Sequence, residues 1–454
     1  MDFKDLSFSD APNIKTSPPG PISKEYLTYQ SANEGNAVSY PKGMPMALKR
    51  AKGATVEDVD GNIYIDFFGG AGVINIGHGN PEVLKVAHEQ IDELTHCLDF
   101  SNPGKKTMVE TLLQILPDEI DRVFFGAPTG SDAVESAIKL AKYNTKKVPV
   151  IAFEGSYHGM TAYALSLCSG DAFKEDFLPL MPEIHFAPYS YCYRCPFKKE
   201  RDKCEIECAQ YFEHIIEDPH SGVSHPAAII VEPIQGEGGS IVPHEGFIPK
   251  LREICDKYNV LMIHDEIQAG FCRTGKMFSF EHTKTVPDII TLSKALGGIG
   301  FPISAIAYKK KLDTWPPGKH IGTFRGNVVA YSCGAAGISF MLKTDLAEHS
   351  LKLGEKILSW LKEIEADSRF IGEVRGKGLM LGVEFVKDKE TKEPFQEIAA
   401  EVRTACHQRG LCIEIGGHYF NVARFLPPLV ITEELAKKGI EVFADAVKSV
   451  ESKK

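Results

Sequence analysis

The stretch from Val260 to Lys294 limits the possible folds of this chain more than any other. Two apolar runs, Val260–Ile263 and Asp288–Leu292, each lead into a charged residue and then a glycine-containing loop. Short apolar runs bounded in this way suit strands buried on both faces, the kind found in parallel sheets covered by helices. Open α/β sheets carry their chemistry at the carboxyl ends of the strands, so the pattern brings the Asp265 carboxylate and the Lys294 amine to one edge. Taken alone, a strand-end aspartate and a loop lysine are ordinary surface features, and the surrounding chain has to decide between the two readings.

With 454 residues the chain is long enough for two domains, each with its own core. A composition of 43% hydrophobic and 25% charged residues is that of a folded soluble protein, which sets aside disordered and fibrous classes. The net charge of −10 argues against a nucleic-acid surface. No apolar run approaches the length of a membrane span, and the charged start Met1-Asp2-Phe3-Lys4-Asp5 does not read as a secretory signal. A cytoplasmic protein without membrane or nucleic-acid partners is expected. The 11 cysteines are an odd number, mostly scattered through apolar segments, and read as free thiols in a reducing compartment. Cys192, Cys195, Cys204 and Cys208 form a cluster with tolerable ligand spacing for zinc or an iron–sulfur centre. The charged segment between the two pairs looks like a surface loop and favours structural thiols or an occasional disulfide, and no metal is assigned.

Residues 1–40 are rich in Pro, Ser, Asn and Gly and suggest an arm laid across a surface. Asp60-Gly61 between two alternating runs predicts a hairpin. Helices are expected over Pro81–Cys97 and Lys106–Leu116. The segment beginning at Arg122 then reads as a strand, a tight Thr129-Gly-Ser turn and a helix over Asp132–Lys142. A helix N-terminus behind a Gly/Ser turn offers unpaired N–H groups and a favourable dipole to an anion, though a plain N-cap would look the same. Further strands over Val148–Phe153, Glu183–Phe186, Ala227–Val231, Val260–Ile263, Asp288–Leu292 and Ile303–Tyr308, joined by helical connections, predict a mostly parallel sheet. A long helix over Val328–Lys343 opens a change of pattern. The expected division is an N-terminal segment over 1–65, a large domain over 66–334 and a smaller α+β domain over 335–454.

Several motifs stand together: Thr129-Gly-Ser-Asp-Ala133, Ser156-Tyr-His-Gly159, Glu232-Pro-Ile-Gln-Gly-Glu-Gly-Gly239, Asp265-Glu-Ile-Gln-Ala-Gly270, Arg273-Thr-Gly275, Ser293-Lys294, Thr323-Phe-Arg-Gly-Asn327 and Arg424-Phe-Leu-Pro-Pro428. In this order the chain closely resembles the class III (ω-amino) aminotransferases, pyridoxal 5'-phosphate (PLP) enzymes of fold type I, from about Val56 to Val430. The resemblance implies an α/β architecture with a mostly parallel central sheet, a smaller α+β domain, and a homodimer or larger oligomer with its active site at the interface.

It also implies roles. Lys294 would form the Schiff base with PLP and then move the proton of the substrate. Asp265 would pair with the pyridine nitrogen and keep the ring cationic. Gly130 and Ser131 would hold the phosphate, with Thr323 of the partner subunit completing that site. Tyr157 would stack on the ring and Gln268 would reach its phenolic oxygen. His158 is either a cofactor contact or a structural histidine. Arg424 would clamp the α-carboxylate with its bidentate fork, Glu237 would pair with Arg424 when the substrate offers an ω-amine, and Glu232 would support the site.

Details of the phosphate turn, of the Thr-Phe-Arg-Gly-Asn loop and of the stretch from Gly410 resemble the diaminobutyrate:2-oxoglutarate aminotransferases more than the 4-aminobutyrate or ornithine enzymes. The inserted cysteine loop departs from that pattern. The expected activity is therefore ping-pong transfer of the terminal amine of a short diamino acid to or from 2-oxoglutarate. An amino-acid racemase or epimerase on the same fold is the alternative, with a 4-aminobutyrate- or ornithine-type aminotransferase behind it. Glu237, which those racemases replace with Asp, favours transamination.

Overall fold

The computed structural model describes residues 3–454. Two compact units share the chain, one formed by Met1–Pro81 and Glu348–Lys454 and the other by Glu82–Ala347. The first strands of the first unit are β1 (Leu48–Lys52), β2 (Thr55–Asp58) and β3 (Ile63–Asp66), each antiparallel to the next. The turn between β2 and β3 is the hairpin expected at Asp60-Gly61.

The N-terminal segment is more structured than its composition suggests. Pro21–Asn33 is a 13-residue helix, where the sequence predicts only an arm. Its own N-cap, Gly20, supplies no side chain. The cap comes instead from Asp60 in the hairpin turn, whose carboxylate oxygens accept the Ile22 and Ser23 N–H groups, both at 2.8 Å. A cap borrowed from 38 residues away leaves no trace in the local sequence. Asn62 fixes the preceding turn by accepting from the Lys15 and Thr16 backbones at 2.8 and 2.9 Å.

The second unit is built on β4 (Arg122–Phe125), β5 (Val150–Phe153), β6 (Ile184–Ala187), β7 (Ala228–Val231), β8 (Leu261–Asp265), β9 (Ile289–Leu292) and β10 (Ala305–Tyr308). They form one seven-stranded sheet in the order β4-β10-β9-β8-β7-β5-β6. The run from β9 to β6 is parallel, and β10 lies antiparallel between β9 and β4. Both faces are covered, as the uninterrupted apolar runs require. Ile151, Phe153, Ile229, Val231 and Met262 pack on one side with helices Glu207–Glu217 and Phe247–Tyr258. Val150, Ala152, Ala228, Ile230, Ile263 and Ile289 pack on the other with helix Gly130–Thr145. Alternate residues of one strand thus enter opposite cores, the period-2 geometry of a pleated strand. Expected and observed strand ends differ by at most two residues, and helix Val328–Lys343 has the predicted bounds.

The chain returns to the first unit with β11 (Ile371–Lys377), β12 (Met380–Phe385), β13 (Leu411–Cys412), β14 (Glu414–Gly416) and β15 (Val422–Phe425). Strand β13 adds in parallel to β3, and the others form an antiparallel sheet in the order β11-β12-β15-β14. Among the described residues no helix is long and apolar enough to cross a membrane.

Candidate active site

The two residues singled out from the sequence end neighbouring strands. Asp265 is the last residue of β8, Lys294 follows β9 by two residues, and the parallel register sets Asp265 beside Thr291. Lys294 opens a short 3-10 turn over Lys294–Gly297 with φ at +48°, a left-handed conformation that costs a residue with a Cβ and persists only where its surroundings impose it.

Asp265 is held at both oxygens. Its Oδ1 accepts the Ile267 backbone N–H at 3.0 Å, and its Oδ2 lies 2.7 Å from Nδ1 of His158. Both side chains are buried. His158 is thus a direct side-chain partner of the aspartate. Glu232, just beyond β7, completes this buried group by accepting the Tyr157 N–H at 3.1 Å and the Gly236 N–H at 2.9 Å. Burial pushes the Glu232 carboxyl up to about 7; the charge of His158 opposes the rise and that of Asp265 adds to it.

The turn at Thr129 is a capped helix start. The Thr129 hydroxyl accepts the Asp132 N–H at 3.3 Å, and helix Gly130–Thr145 runs for 16 residues behind it. The Ser131 hydroxyl accepts the Met160 N–H at 3.2 Å, tying this turn to the Tyr157 loop. A Cβ at Gly159 would fall 2.1 Å from Ser131 Oγ, and one at Gly130 would press on Ile267 at 3.0 Å. The Gly130 turn, the Tyr157–Gly159 loop and the loop after Asp265 therefore meet, and only small residues allow it. The Tyr157 ring packs edge-on to Phe173 at 5.4 Å. Gln268 lies in the loop after Asp265, and Glu237 is half-buried in the loop after Glu232.

Thr323 opens the turn Thr323–Gly326, and its carbonyl accepts from His96 Nε2 at 2.7 Å. Beside it Ile321 and Phe324 are 73% and 70% exposed, and Phe100 is 76% exposed.

Arg424 lies in the other unit, fully buried on β15, and its Nη2 donates to Glu414 Oε2 at 2.6 Å. Sequence reasoning passed over Glu414, although it lies in the Gly410–Gly417 stretch already noted. Strand register makes the pair, and register is not written locally. Asp132 was passed over as well; it accepts the Ala127 N–H at 2.6 Å and stands 3.1 Å from His320 Nε2, bracing the Gly130 turn.

Cys192, Cys195, Cys204 and Cys208 line one small cavity with Tyr189 and Arg201. Arg201 Nη1 points at Cys192 Sγ from 3.8 Å, and burial pushes the Cys208 thiol up to about 12. Among the described residues no three or more His, Cys, Asp or Glu side chains are grouped to hold a metal ion.

A lysine and a buried, histidine-partnered carboxylate at adjacent strand ends, beside a glycine-bearing helix N-terminus, fit the amine-reactive carbonyl, ring nitrogen and phosphate of PLP. The model of the family "Aminotransferase class-III" matches residues 37–447. The chain belongs to the class-III aminotransferases. Like other members it is a PLP-dependent aminotransferase, as the motifs implied. A Haemophilus influenzae protein named diaminobutyrate–2-oxoglutarate aminotransferase is 41% identical over 441 residues, covering 94% of this chain and 97% of that one. A Thermococcus litoralis leucine/methionine racemase is 38% identical over 413 residues, covering 90% and 91%. A Bacillus anthracis aminotransferase structure superposes with a TM-score of 0.87 at 29% identity, covering 94% of this class-III chain and 99% of its own. The fold-type-I expectation and the lean toward diaminobutyrate enzymes both agree with these likenesses.

Proposed function

We propose that this aminotransferase moves the terminal amine of a short diamino acid, 2,4-diaminobutyrate or a close analogue, to or from 2-oxoglutarate. The placement of Asp265 and Lys294 at adjacent strand ends carries the amine chemistry. Similarity over almost the whole chain to the Haemophilus diaminobutyrate enzyme supports the donor.

When bound, PLP supplies an electron sink for the carbon that carries the amine. Asp265, kept in orientation by His158, holds the proton on the ring nitrogen. Gly130 and Ser131 would receive the phosphate, Tyr157 would cover the ring face and Gln268 would donate to the phenolic oxygen. Lys294 would anchor the cofactor and carry the substrate proton. Arg424 receives the α-carboxylate of glutamate or 2-oxoglutarate, Glu237 offsets its charge when the donor presents an ω-amine, and Glu232 holds the loop that carries Tyr157.

The working form is a homodimer in the cytoplasm, with Thr323 of the partner subunit closing the phosphate site. The exposed apolar side chains beside Thr323 support the dimer. The free state of every cysteine supports a reducing compartment.

Incubation of the purified enzyme with diaminobutyrate, with and without 2-oxoglutarate, tests the reading. Glutamate formation that requires both substrates and disappears in Lys294→Ala is the expected result. The Thermococcus relative keeps racemisation as a second reading, and loss of optical rotation without any oxo acid would select it.

A further inference from the structure

We propose that His320 is a positioning residue: by bridging to Asp132 it fixes the loop that carries Thr323 against the subunit's own Gly130 turn. The loop is thereby held in place to close the phosphate site of the partner subunit. The role deepens the reading of Thr323 given above and rests on it.

Between Leu312 and Thr323 the chain forms neither helix nor strand. Such a segment takes its position from side-chain contacts and local turns. Residues 316–319 are exposed, whereas the His320 side chain turns inward and is 10% exposed. Its Nε2 stands 3.1 Å from Asp132 Oδ2, and its Nδ1 lies 3.1 Å from the Lys139 ammonium. An ammonium can only donate, so Nδ1 accepts and the ring proton on Nε2 donates to the Asp132 carboxylate. The ring also meets Phe124 edge-on at 6.0 Å.

Neighbouring contacts converge on the same place. Lys139 Nζ donates to the Lys319 carbonyl at 2.8 Å, and Arg325 Nη1 donates to the His320 carbonyl at 2.5 Å. Asp132 Oδ2 accepts the Ala127 N–H at 2.6 Å as well, and a Cβ at Gly322 would fall 3.3 Å from that of Ala127. Burial works against the Asp132 charge, but the bonds from His320 and from the Ala127 N–H hold the carboxyl below the usual carboxylate range.

Asp132 belongs to the first turn of helix Gly130–Thr145, where the phosphate would sit. A histidine–carboxylate bond thus joins the Thr323 loop to the phosphate turn, while Thr323 itself stays exposed to meet a second copy. Without that bond the loop drifts from the turn, and Thr323 reaches the phosphate of the partner subunit in fewer molecules. The loss should fall on the phosphate and spare the ring and aldehyde.

The test compares PLP with pyridoxal, which has the same ring and aldehyde and lacks the phosphate. Both dissociation constants are measured by spectroscopic titration of the cofactor-free, full-length protein. His320→Phe keeps the ring packing on Phe124 and removes both nitrogens; Asp132, 21% exposed, can then turn to water. About tenfold weaker PLP binding with unchanged pyridoxal binding is expected, the size of loss that goes with a hydrogen bond to a charged group. His320→Gln restores an N–H donor toward Asp132 and should recover most of the PLP affinity. His320→Ala carries the test if His320→Phe does not fold. In a Thr323→Ala background, substitution of His320 should weaken PLP no further. Equal weakening toward PLP and pyridoxal, unchanged PLP affinity, or an effect that adds in full to that of Thr323→Ala overturns the inference. In each of those cases Thr323 keeps its assigned role if Thr323→Ala alone weakens PLP. If Thr323→Ala alone leaves PLP affinity unchanged, the role of Thr323 falls, and that of His320 with it.

Discussion

His158 Nδ1 stands 2.7 Å from Asp265 Oδ2, and both side chains are buried. The contact ties the loop after β5 to the end of β8. A buried carboxylate needs hydrogen-bond partners, and the His158 ring supplies one beside the Ile267 N–H. His158→Phe removes that partner without adding a charge. A hydrogen bond to a charged group is worth about 1.5–3 kcal/mol, so PLP should bind about ten- to a hundredfold more weakly. Spectroscopic titration of the cofactor-free protein measures this, and wild-type affinity in the variant would show that the histidine plays no part in holding the cofactor.

Glu232 links stability to pH. Its carboxyl titrates near 4.5 when unfolded and at about 7 in the folded protein, where burial raises it. Between these values the folded state binds more protons than the unfolded one, so this group makes stability fall as pH rises through that window and adds no further change above it. Glu232→Gln removes the effect. The variant should gain on wild type as pH rises from 4.5 to about 7, reaching on the order of 3 kcal/mol and then levelling off. Denaturant melts at several pH values give the difference curve; a flat difference would mean that Glu232 titrates normally.

Gly159 tests how tightly the loops converge. Its φ is +130°, and a Cβ there would fall 2.1 Å from Ser131 Oγ and 3.1 Å from Ser131 Cα. Because backbone as well as hydroxyl is in the way, rotation of Ser131 cannot relieve the clash. Gly159→Ala should cost more than about 1 kcal/mol of stability and weaken inorganic phosphate and PLP binding together. Thermal melts and phosphate protection assays read the two effects.

Ile321 and Phe324 flank Thr323, and both are more than two-thirds exposed in the single chain. If this surface meets a second copy, Ile321→Asp with Phe324→Glu places charges where apolar groups should be covered. Each lost side chain is worth about 1.5–3 kcal/mol when fully buried. Sedimentation should show dissociation into monomers with activity falling in parallel, and an active dimer in the double variant would move the interface elsewhere.

Much of the second unit could be read from the amino-acid order. The apolar runs at Ile289–Leu292 and Ala228–Val231 can be satisfied only between two cores, and the Thr129-Gly-Ser turn announces the start of a helix because its cap is local. Helix Pro21–Asn33 escaped notice because it has no apolar stripe and takes its cap from Asp60. These successes and failures have one cause, which is that periodicity and capping report on neighbours within a few residues.

For the chemistry the division is sharper. By itself the sequence determined that Asp265 and Lys294 end two buried strands, because a carboxylate or an amine after such a run must emerge at the edge of a sheet. Only the tertiary structure decided that β8 and β9 are neighbours, that His158 stands behind Asp265 across 107 residues, and that Arg424 faces Glu414. Those pairings depend on strand order, crossover and register. They are settled by how the whole chain buries its charges, and no local pattern of residues encodes them.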